Sequence, residues 1–282
     1  LPFITPEEQQ RITRELLACG ADIVEMNTIR KRLSRVKAGR FAQHCAPARV
    51  FSIVLSDIVG DPLDMIASGP AYPDTSTAEQ ALAIVKKYAL HLSDEALSCL
   101  EAPTPNHLSN VETHITGSVR ALCAAAQDAA QKLGFQCRML TDCLDCEARE
   151  AGRFLASIAR SHQQTERPLA FFAGGETVVH LTGQGLGGRN QELALAAAPG
   201  LRGTQNTAVC SFGSDGTDGP TDAAGGFVDQ SSDAALRAAG LDVPQVLAEN
   251  DAYHALQKIG GLLMTGPTGT NVNDLAMVLI WR

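Results

Sequence analysis

Residues 49–55 read RVFSIVL, a run of apolar residues that has the length of one β-strand and ends at Ser56 and Asp57. Because the hydrophobicity is continuous and does not alternate, the run predicts a strand buried on both faces, as in the sheets of α/β proteins. Towards both ends of the chain, further apolar runs alternate with segments of helical periodicity. This alternation predicts an α/β fold.

The other strands and helices are predicted from apolar periodicity and from capping residues, with Thr5 as the cap of the first helix and Thr77 with Gln80 as a capping box. Predicted strands cover residues 111–116, 135–141, 168–174, 177–181, 207–212 and 275–281, and predicted helices cover 5–19, 23–36, 77–88, 118–133 and 147–162, with another from Asn190. The segment HQQTERP at 162–168 is polar and ends in proline, so a domain boundary is predicted near residue 165.

Composition limits the classes of function that the chain can have. Hydrophobic residues make up 45% of its 282 residues, and the net charge of −8 argues against a general nucleic-acid binder, which needs a broad basic face. No apolar run is long enough to span a bilayer, so no membrane partner is expected. The eight cysteines are scattered, as expected of reduced thiols in the cytoplasm. Only Cys143 and Cys146 form a C-x-x-C pair, and it lacks the further ligands of a zinc site.

Four loops rich in glycine and in acidic or amide residues each follow an apolar strand. They are SDIVGD at 56–61, GGET at 174–177, the segment 211–226 and TGPTGTNVND at 265–274. In open α/β sheets, ligands bind in the crevice at the carboxyl ends of the strands. These loops are therefore predicted to converge on one cleft.

A glycine-rich stretch, GQGLGGRNQE at 183–192, precedes the helix predicted from Asn190. Unpaired amides at the start of a helix, together with the helix dipole, suit an anion such as a phosphate. Arg189 adds a planar cation that can bind two oxygens at once. The alternative is a glycine-lined turn in which Arg189 pairs with a carboxylate, and spacing alone leaves both interpretations open.

Three aspartates, Asp215, Asp218 and Asp222, lie within eight residues of a glycine-rich loop. Carboxylates held close together repel one another unless a cation or a set of hydrogen-bond donors compensates. Magnesium held by one or two of them and by substrate phosphates would do so. The alternative is a series of Asx-turns at the surface.

The segment RKRLSRVKAGR at 30–40 is strongly basic in an otherwise acidic chain. Such an imbalance favours an anionic ligand for one or two of its residues, with Lys37 preferred, although an exposed basic face accounts for most of them. Gly183, Gly185 and Gly188 also fit the dinucleotide fingerprint. No acidic residue follows at the distance that a ribose contact requires, so a Rossmann site is rejected.

Taken together, these segments resemble the glycerate 2-kinase family, whose members are often named hydroxypyruvate reductase. The resemblance rests on MNTIRKRLSRVKAG (26–39), VLSDIVGDPLDMIASGP (54–70), GGET (174–177), GQGLGGRNQELAL (183–195), GSDGTDGPTDAAG (213–225) and TGPTGTNVNDL (265–275). It extends over the whole chain, and the pairing of GGRNQELAL with DGTDGPTDAAG is its most specific part.

The resemblance implies two α/β domains with a cleft between them. Residues 1–166 would be the C-terminal part of the larger domain, and residues 167–282 the smaller, MOFRL domain. Family members carry a further N-terminal portion, so the larger domain is expected to be truncated at its N-terminus. The family's usual Lys-Gly-Gly reads Lys37-Ala38-Gly39 here, and its usual Gly-Thr-Asp-Gly reads Gly213-Ser214-Asp215-Gly216.

The resemblance also implies an activity: with Mg²⁺, the γ-phosphoryl group of ATP is transferred to a hydroxyl of D-glycerate, giving 2-phosphoglycerate. Arg189, with the amides of Gly187 and Gly188, is then predicted to hold phosphate oxygens. Asp215 and Asp218 are predicted to bind Mg²⁺ or to orient the accepting hydroxyl, one of them as its base.

Further residues are predicted to contact glycerate or the nucleotide. The glycerate carboxylate would face Lys37 or Arg30. Lys37 is also predicted to be catalytic. The remaining predicted substrate- or nucleotide-binding residues are Asn27, Asp57, Gly175, Glu176, Asn190, Thr217, Thr270 and Asn271.

Two other functions stay open at the level of sequence. One is an NAD(P)H-dependent hydroxypyruvate reductase, against which the missing dinucleotide context counts. The other is a non-catalytic anion-binding fragment, which a missing N-terminal region would favour. In each case the partner is a small molecule, and self-association as a homodimer is left open.

Overall fold

A computed structural model describes residues 4–56 and 62–282, which form two compact units. Unit 1 consists of residues 4–54 and 62–116, and unit 2 of residues 55–56 and 117–282. Both units combine helices with a sheet, so the predicted α/β class is confirmed. No helix in the described ranges is both long enough and apolar enough to cross a membrane.

Unit 1 is a group of helices packed beside a two-stranded sheet. Its elements are α1 (Pro6–Ala18), α2 (Ile23–Leu33), α3 (Arg40–Cys45), β1 (Val50–Leu55), α4 (Ala78–Tyr88), α5 (Asp94–Glu101) and β2 (Val111–Gly117). As predicted, Thr5 caps α1 by accepting a hydrogen bond from the Glu8 amide, and Thr77 and Gln80 form a capping box at α4. The apolar faces of α1, α2, α4 and α5 then enclose one core, which includes Leu16, Ile29, Ile84 and Leu100.

The second helix is shorter than predicted. It ends at Leu33, because Ser34 adopts an extended backbone and its hydroxyl accepts hydrogen bonds from the amides of Val36 and Lys37. A side chain that captures nearby amides in this way offers the backbone an alternative to the helix. Val36 is therefore not on the apolar face of α2 and is 53% exposed.

The run that predicts a doubly buried strand does form β1, but burial on both faces is wrong for the described residues. Phe51 is 59% exposed and Ile53 is 73% exposed, whereas Val54 is buried. Exposure alternates along β1, as it does in a strand covered on one face only. In the described part of the chain this sheet consists of β1 and β2. Hydrogen bonds from the Val50 amide to the Asn110 carbonyl and from the Ser56 amide to the Gly117 carbonyl join its ends.

Unit 2 is a six-stranded sheet with helices on both faces. Its elements are α6 (Val119–Lys132), β3 (Gln136–Leu144), α7 (Ala148–Ser161), β4 (Leu169–Gly175), α8 (Arg189–Ala197), β5 (Thr207–Gly213), β6 (Gly225–Asp229), α9 (Ser232–Ala238), α10 (Val243–Ala248), α11 (Ala252–Lys258), β7 (Leu262–Leu263) and β8 (Asp274–Ile280). The strand order is β3-β4-β8-β5-β6-β7. Only β3 and β4 pair in parallel, and every other pair is antiparallel.

Double-sided burial occurs in β4, where all seven residues are buried. Phe172 packs with Val119 and Cys123 of α6 on one face of the sheet, and Phe171 packs with Leu155 of α7 and Leu193 of α8 on the other. Consecutive side chains of a strand point to opposite faces, so one apolar strand joins both cores.

Two sequence predictions differ from the structure of unit 2, and a third stays a prediction. Residues 177–181 form no strand and contribute only one bridge, between Val178 and Glu147. The loop predicted at 211–226 ends in β6, whose first residue, Gly225, would clash with Ser211 if it carried a side chain. The predicted boundary between residues 166 and 167 lies inside unit 2, because β3 pairs with β4, and it stays a prediction about domains.

Candidate active site

Three of the four loops singled out by sequence meet at one edge of the sheet in unit 2. In the register of the sheet, Asp274 at the start of β8 pairs with Gly175 at the end of β4 and with Gly213 at the end of β5. Since β8 runs antiparallel to both neighbours, its N-terminal end lies beside their C-terminal ends. The fourth loop, SDIVGD, falls outside the described residues after Ser56, and this includes the predicted site residue Asp57.

A pocket of about 830 Å³ opens at this edge. The predicted site residues that line it are Glu176, Gly187, Gly188, Arg189, Asp215, Thr217, Asp218 and Asn271. Three other predicted residues of unit 2 lie outside its lining. Gly175 ends β4, Asn190 is buried and accepts a hydrogen bond from the Ser211 hydroxyl, and Thr270 accepts one from Thr268 through its carbonyl.

Arg189, the first residue of α8, is held by two carboxylates. Its Nε and Nη2 donate to the two oxygens of Asp274 at 2.5 and 3.1 Å, and its Nη1 donates to Glu176 at 2.6 Å. Burial works to lower the pKa of Arg189, but hydrogen bonds and charge from Asp274 and Glu176 outweigh it, and the pKa is raised. The carboxylate pairing left open by the sequence is therefore present, and the guanidinium stays charged.

Asp218 caps helix α8 from outside the helix. Its Oδ1 accepts from the amide and the side chain of Asn190 at 3.1 and 3.3 Å, and its Oδ2 accepts from the Gln191 amide at 2.8 Å. Burial is the main cause that raises the pKa of Asp218 to about 6. The two helix amides that were predicted to be free for an anionic ligand are thus occupied by a carboxylate of the protein itself. The metal-binding and catalytic roles of Asp218 stay predictions.

The glycines of the 183–188 loop approach protein atoms closely. A Cβ on Gly183 would lie 2.3 Å from the Glu249 backbone, and one on Gly185 would lie 2.4 Å from Asp251. A Cβ on Gly188 would lie 2.3 Å from the Asp218 side chain. At these three positions, packing against the protein is sufficient to require glycine.

The loop is also held by hydrogen bonds to the segment that follows α10. The Asn250 side chain accepts from the amides of Thr182 and Gly183 at 2.7 and 2.9 Å, and it donates to Glu192 at 3.2 Å. Glu192 also accepts from Arg149 at 3.0 Å. The pocket wall formed by this loop is therefore fixed by a buried polar network.

The aspartate loop contains an Asx-turn. Asp215 accepts from the Thr217 amide at 2.9 Å, as the alternative interpretation of the sequence has it. Asp222 accepts from the Tyr253 hydroxyl at 2.8 Å and does not line the pocket. Within residues 4–56 and 62–282, no group of three or more His, Cys, Asp or Glu side chains could hold a metal ion by itself.

Much of the basic segment 30–40 is buried inside unit 1, and its buried side chains are not available to an anionic ligand. Lys31 is 2% exposed and pairs with Asp64 at 2.8 Å and Asp74 at 3.5 Å. Arg32 and Arg40 are buried and donate to backbone carbonyls. A buried charge needs such partners to be tolerated, so these three side chains stabilise the fold.

The predicted residues of unit 1 outside this buried group are close to one another. The Lys37 ammonium donates to the Ser68 hydroxyl at 3.0 Å, and that hydroxyl donates to the Asn27 side chain at 3.2 Å. Arg30 and Lys37 line a second pocket, of about 640 Å³. Unit 1 thus brings together all the predicted site residues that are described in it.

Sequence reasoning missed Asp274 and Asn250. Asp274 is the last residue of TGPTGTNVND, and nothing in its spacing marks it as the partner of Arg189, 85 residues away. Asn250 lies 58 residues from Glu192 in a segment without a motif. A polar residue at the edge of an apolar strand, as Asp274 is, was the one available signal.

Known proteins give matches along most of the chain. A family model described as a domain of unknown function, DUF4147, matches residues 1–101, and the MOFRL family matches residues 169–274. A D-glycerate 2-kinase of Thermotoga maritima is 54% identical over 99% of this chain and 68% of its own length. A glycerate 2-kinase of Pyrococcus horikoshii is 40% identical over 98% of this chain and 66% of its own length.

Solved structures agree with this similarity. The crystal structure of a glycerate kinase from Thermotoga maritima superposes with a TM-score of 0.93 at 54% identity, covering 99% of this chain and 69% of that one. The chain therefore spans about two thirds of the length of these relatives.

Proposed function

This chain belongs to the glycerate 2-kinase family, and from that premise we propose that it acts in the ATP-dependent phosphorylation of D-glycerate to 2-phosphoglycerate. The resemblance drawn from the sequence is thereby confirmed. The observation that carries the proposal is the arginine clamp of unit 2, in which Arg189 is fixed by Asp274 at the wall of a pocket that Asp215 also lines.

Phosphoryl transfer needs alignment and charge neutralisation more than covalent help. In our proposal Arg189 supplies a fixed cation for the phosphate oxygens. Two of its nitrogens are committed to Asp274, and its Nη1 is bound to Glu176, whose side chain is 47% exposed. A phosphate oxygen replaces Glu176 at Nη1, and the amides of Gly187 and Gly188 donate to neighbouring oxygens.

The charge of the pocket supports a metal ion as companion of the nucleotide. Among the described residues that line it, Arg189 is the one cation, against the carboxylates of Glu176, Glu192, Asp215 and Asp218. A triphosphate would be repelled by this lining unless a cation entered with it. Mg²⁺ is normally held by one or two carboxylates plus phosphate oxygens and water.

The donor set fits such an ion at Asp215. This side chain lines the pocket, and its one hydrogen bond within the described ranges is accepted by Oδ1 from the Thr217 amide, which leaves Oδ2 available. Asp218 fits less well because both its oxygens already accept hydrogen bonds from α8. We assign Asp215 to the ion and Asp218 to holding the start of α8. When bound, Mg²⁺ neutralises charge on the phosphates, and Thr217 and Asn271 border the same space.

The glycerate side of the reaction is assigned to unit 1. Lys37 and Arg30 offer the positive charge that a carboxylate requires, and Asn27 is linked to Lys37 through Ser68. Asp57, which lies outside the described residues, stays a predicted substrate- or nucleotide-binding residue. The proposed compartment is the cytoplasm, consistent with eight cysteines that are scattered along the chain.

A coupled assay that follows ADP release tests the proposal. The chain is incubated with ATP, Mg²⁺ and D-glycerate, and the product is identified as 2-phosphoglycerate by its NMR spectrum. The control omits glycerate, so that background ATP hydrolysis is subtracted. Glycerate-dependent ADP release supports the kinase, and its absence with a folded protein contradicts the proposal for this chain.

The same preparation separates the alternative functions. Oxidation of NADH with hydroxypyruvate, without ADP release, would identify a reductase. Binding of glycerate or ATP in calorimetry, with neither reaction, would identify a non-catalytic binding module. Sedimentation of the protein with and without ATP gives its oligomeric state and decides whether it forms a homodimer.

A further inference from the structure

A second pocket, in unit 1, lies between α1 and α2. Its volume is about 640 Å³, within the range of small-molecule sites. We call it the α1–α2 pocket and define it by its lining residues, Pro6, Gln9, Gln10, Thr13, Arg14, Arg30, Leu33, Ser34 and Lys37. None of these residues takes part in the phosphate-binding arrangement of unit 2.

The charge of this pocket is one-sided. Arg14, Arg30 and Lys37 line it, and among the residues that the structure describes no acidic residue does. Within the described part of the chain, neither arginine forms an ion pair or a hydrogen bond, and the Lys37 ammonium contacts only two neutral oxygens, those of Ala67 and Ser68. Three cations thus face one space without a counter-charge in a protein whose net charge is −8.

The neighbouring arginine of α1 shows what an ordinary surface cation does here. Arg11 pairs with Glu15 at 3.2 Å and with Glu8 at 3.6 Å, along the helix. Arg14, three residues on, has no such pair and lines the pocket. Burial, and then the charge of Arg30, lowers the pKa of Lys37, so like charges in the pocket act on one another.

The rest of the lining suits a small acid that also carries hydroxyl groups. Gln9, Gln10, Thr13 and Ser34 present neutral donors and acceptors beside the three cations. A guanidinium fork matches the two oxygens of a carboxylate. A hydroxy acid could therefore place its carboxylate on the cations and its hydroxyls on the amide and hydroxyl side chains.

We propose that the α1–α2 pocket binds the carboxylate of the acceptor, a small hydroxy acid, and that Arg14 is a specificity-determining residue of that site. This inference rests on the proposed function and adds to it a helix, α1, and a residue, Arg14, that no sequence pattern singled out. Arg14 selects acids over neutral polyols, because its charge is left without a partner when the ligand has no carboxylate.

Calorimetric titration of the full chain without nucleotide tests the site. The probes are D-glycerate and glycerol, which keeps hydroxyls but has no carboxylate. Arg14→Ala should weaken glycerate binding about tenfold or more and leave glycerol binding unchanged, because one charge-assisted hydrogen bond is lost only with the acid. Arg11→Ala is the matched control, with the same change of charge on the same helix, and should leave both affinities unchanged.

A second variant distinguishes a loss of ligand binding from a failure of the protein to fold. Arg14→Lys keeps the charge and loses the fork, so its affinity for glycerate should lie between those of the wild type and Arg14→Ala. Equal effects of Arg14→Ala and Arg11→Ala on glycerate would overturn the proposal. So would a wild-type protein that binds inorganic phosphate more tightly than glycerate at this site, with that binding lost in Arg14→Ala.

The coupled assay keeps this inference separate from the proposed function. If the chain phosphorylates glycerate, Arg14→Ala should raise KM for glycerate about tenfold and leave KM for ATP unchanged. If Arg14→Ala phosphorylates glycerate with an unchanged KM for glycerate, the proposed site is contradicted and the kinase activity is supported. If the chain releases no ADP but Arg14→Ala loses glycerate binding, the proposed site is supported and the proposed kinase activity is contradicted.

Discussion

The guanidinium of Arg189 makes two parallel hydrogen bonds to the carboxylate of Asp274, through Nε at 2.5 Å and through Nη2 at 3.1 Å. This fork-to-fork contact fixes the plane of the guanidinium and leaves Nη1 directed to the exposed Glu176. Asp274 is the first residue of β8, a central strand of the sheet. The rigid sheet thus sets the orientation of the arginine that we assign to the phosphates.

Arg189→Lys should reduce glycerate-dependent turnover strongly. A lysine keeps the charge, but it cannot make the bidentate contact with Asp274 that holds the cation in place. Arg189→Ala should lower turnover about a hundredfold or more, as expected for a group that stabilises transition-state charge. Both are measured in the coupled ADP assay, with Arg153→Ala, which removes an exposed pair with Glu150, as the control. Unchanged turnover in Arg189→Ala would eliminate the assigned role.

Gly188→Ala should destabilise unit 2 far more than Gly187→Ala. A Cβ at position 188 would lie 2.3 Å from Asp218, whereas one at position 187 would lie 3.3 Å from Ala252. Overpacking at Gly188 and loss of the Asp218 cap on α8 together cost about 3 kcal/mol, against less than about 1 kcal/mol for Gly187. Urea denaturation measures the difference. Equal midpoints for the two variants would show that the loop moves aside without loss.

Glu192→Gln should change how stability depends on pH. Burial raises the pKa of Glu192, although Arg149 and Asn250 oppose the effect. Because the folded protein holds this proton more tightly than the unfolded chain, the stabilising contribution is complete below the unfolded pKa. It is lost as the pH rises through the folded value.

Glutamine keeps the shape of the protonated acid and does not titrate. The free energy of unfolding of the wild type, measured relative to Glu192→Gln in urea from about pH 4 to about pH 8, should therefore decline as the pH rises. Parallel curves for the two proteins would mean that Glu192 titrates alike in the folded and unfolded states.

Lys31→Ala should be strongly destabilising although Lys31 lies in a basic run that resembles a surface patch. The change leaves the carboxylate of Asp74, which is fully buried, and that of Asp64, which is 14% exposed, without their cation. Removing one partner of a buried ion pair costs about 3–5 kcal/mol. The exposed Arg35 of the same run provides the control, and Arg35→Ala should stay within about 0.5 kcal/mol of the wild type. Stability is measured by thermal and urea denaturation. Equal losses of stability in Lys31→Ala and Arg35→Ala would contradict this expectation.

Capping residues and apolar runs predicted the helices and strands that depend on residues close together in the chain. The Thr77–Gln80 capping box and the helix it begins depend on residues three apart, and the structure contains both. The strand prediction for 168–174 also holds, because an apolar run of this length forms a strand between two helical layers. By contrast, burial of the 49–55 run depended on what covers it, and the exposure of Ile53 shows that its own hydrophobicity does not decide this.

Sequence alone determined the family, the α/β class and eight of the residues that line the pocket of unit 2, because these depend on motifs and on periodicity within short segments. Tertiary structure decided which of those residues are already partnered. Asp274 reaches Arg189 across 85 positions, and Asp218 reaches Gln191 across 27. Such contacts are set by the register of the sheet and by the packing of α8, and neither leaves a periodic signal in the chain. The glycines of the 183–188 loop are the clearest case, since only the fold shows that they make room for Glu249, Asp251 and Asp218.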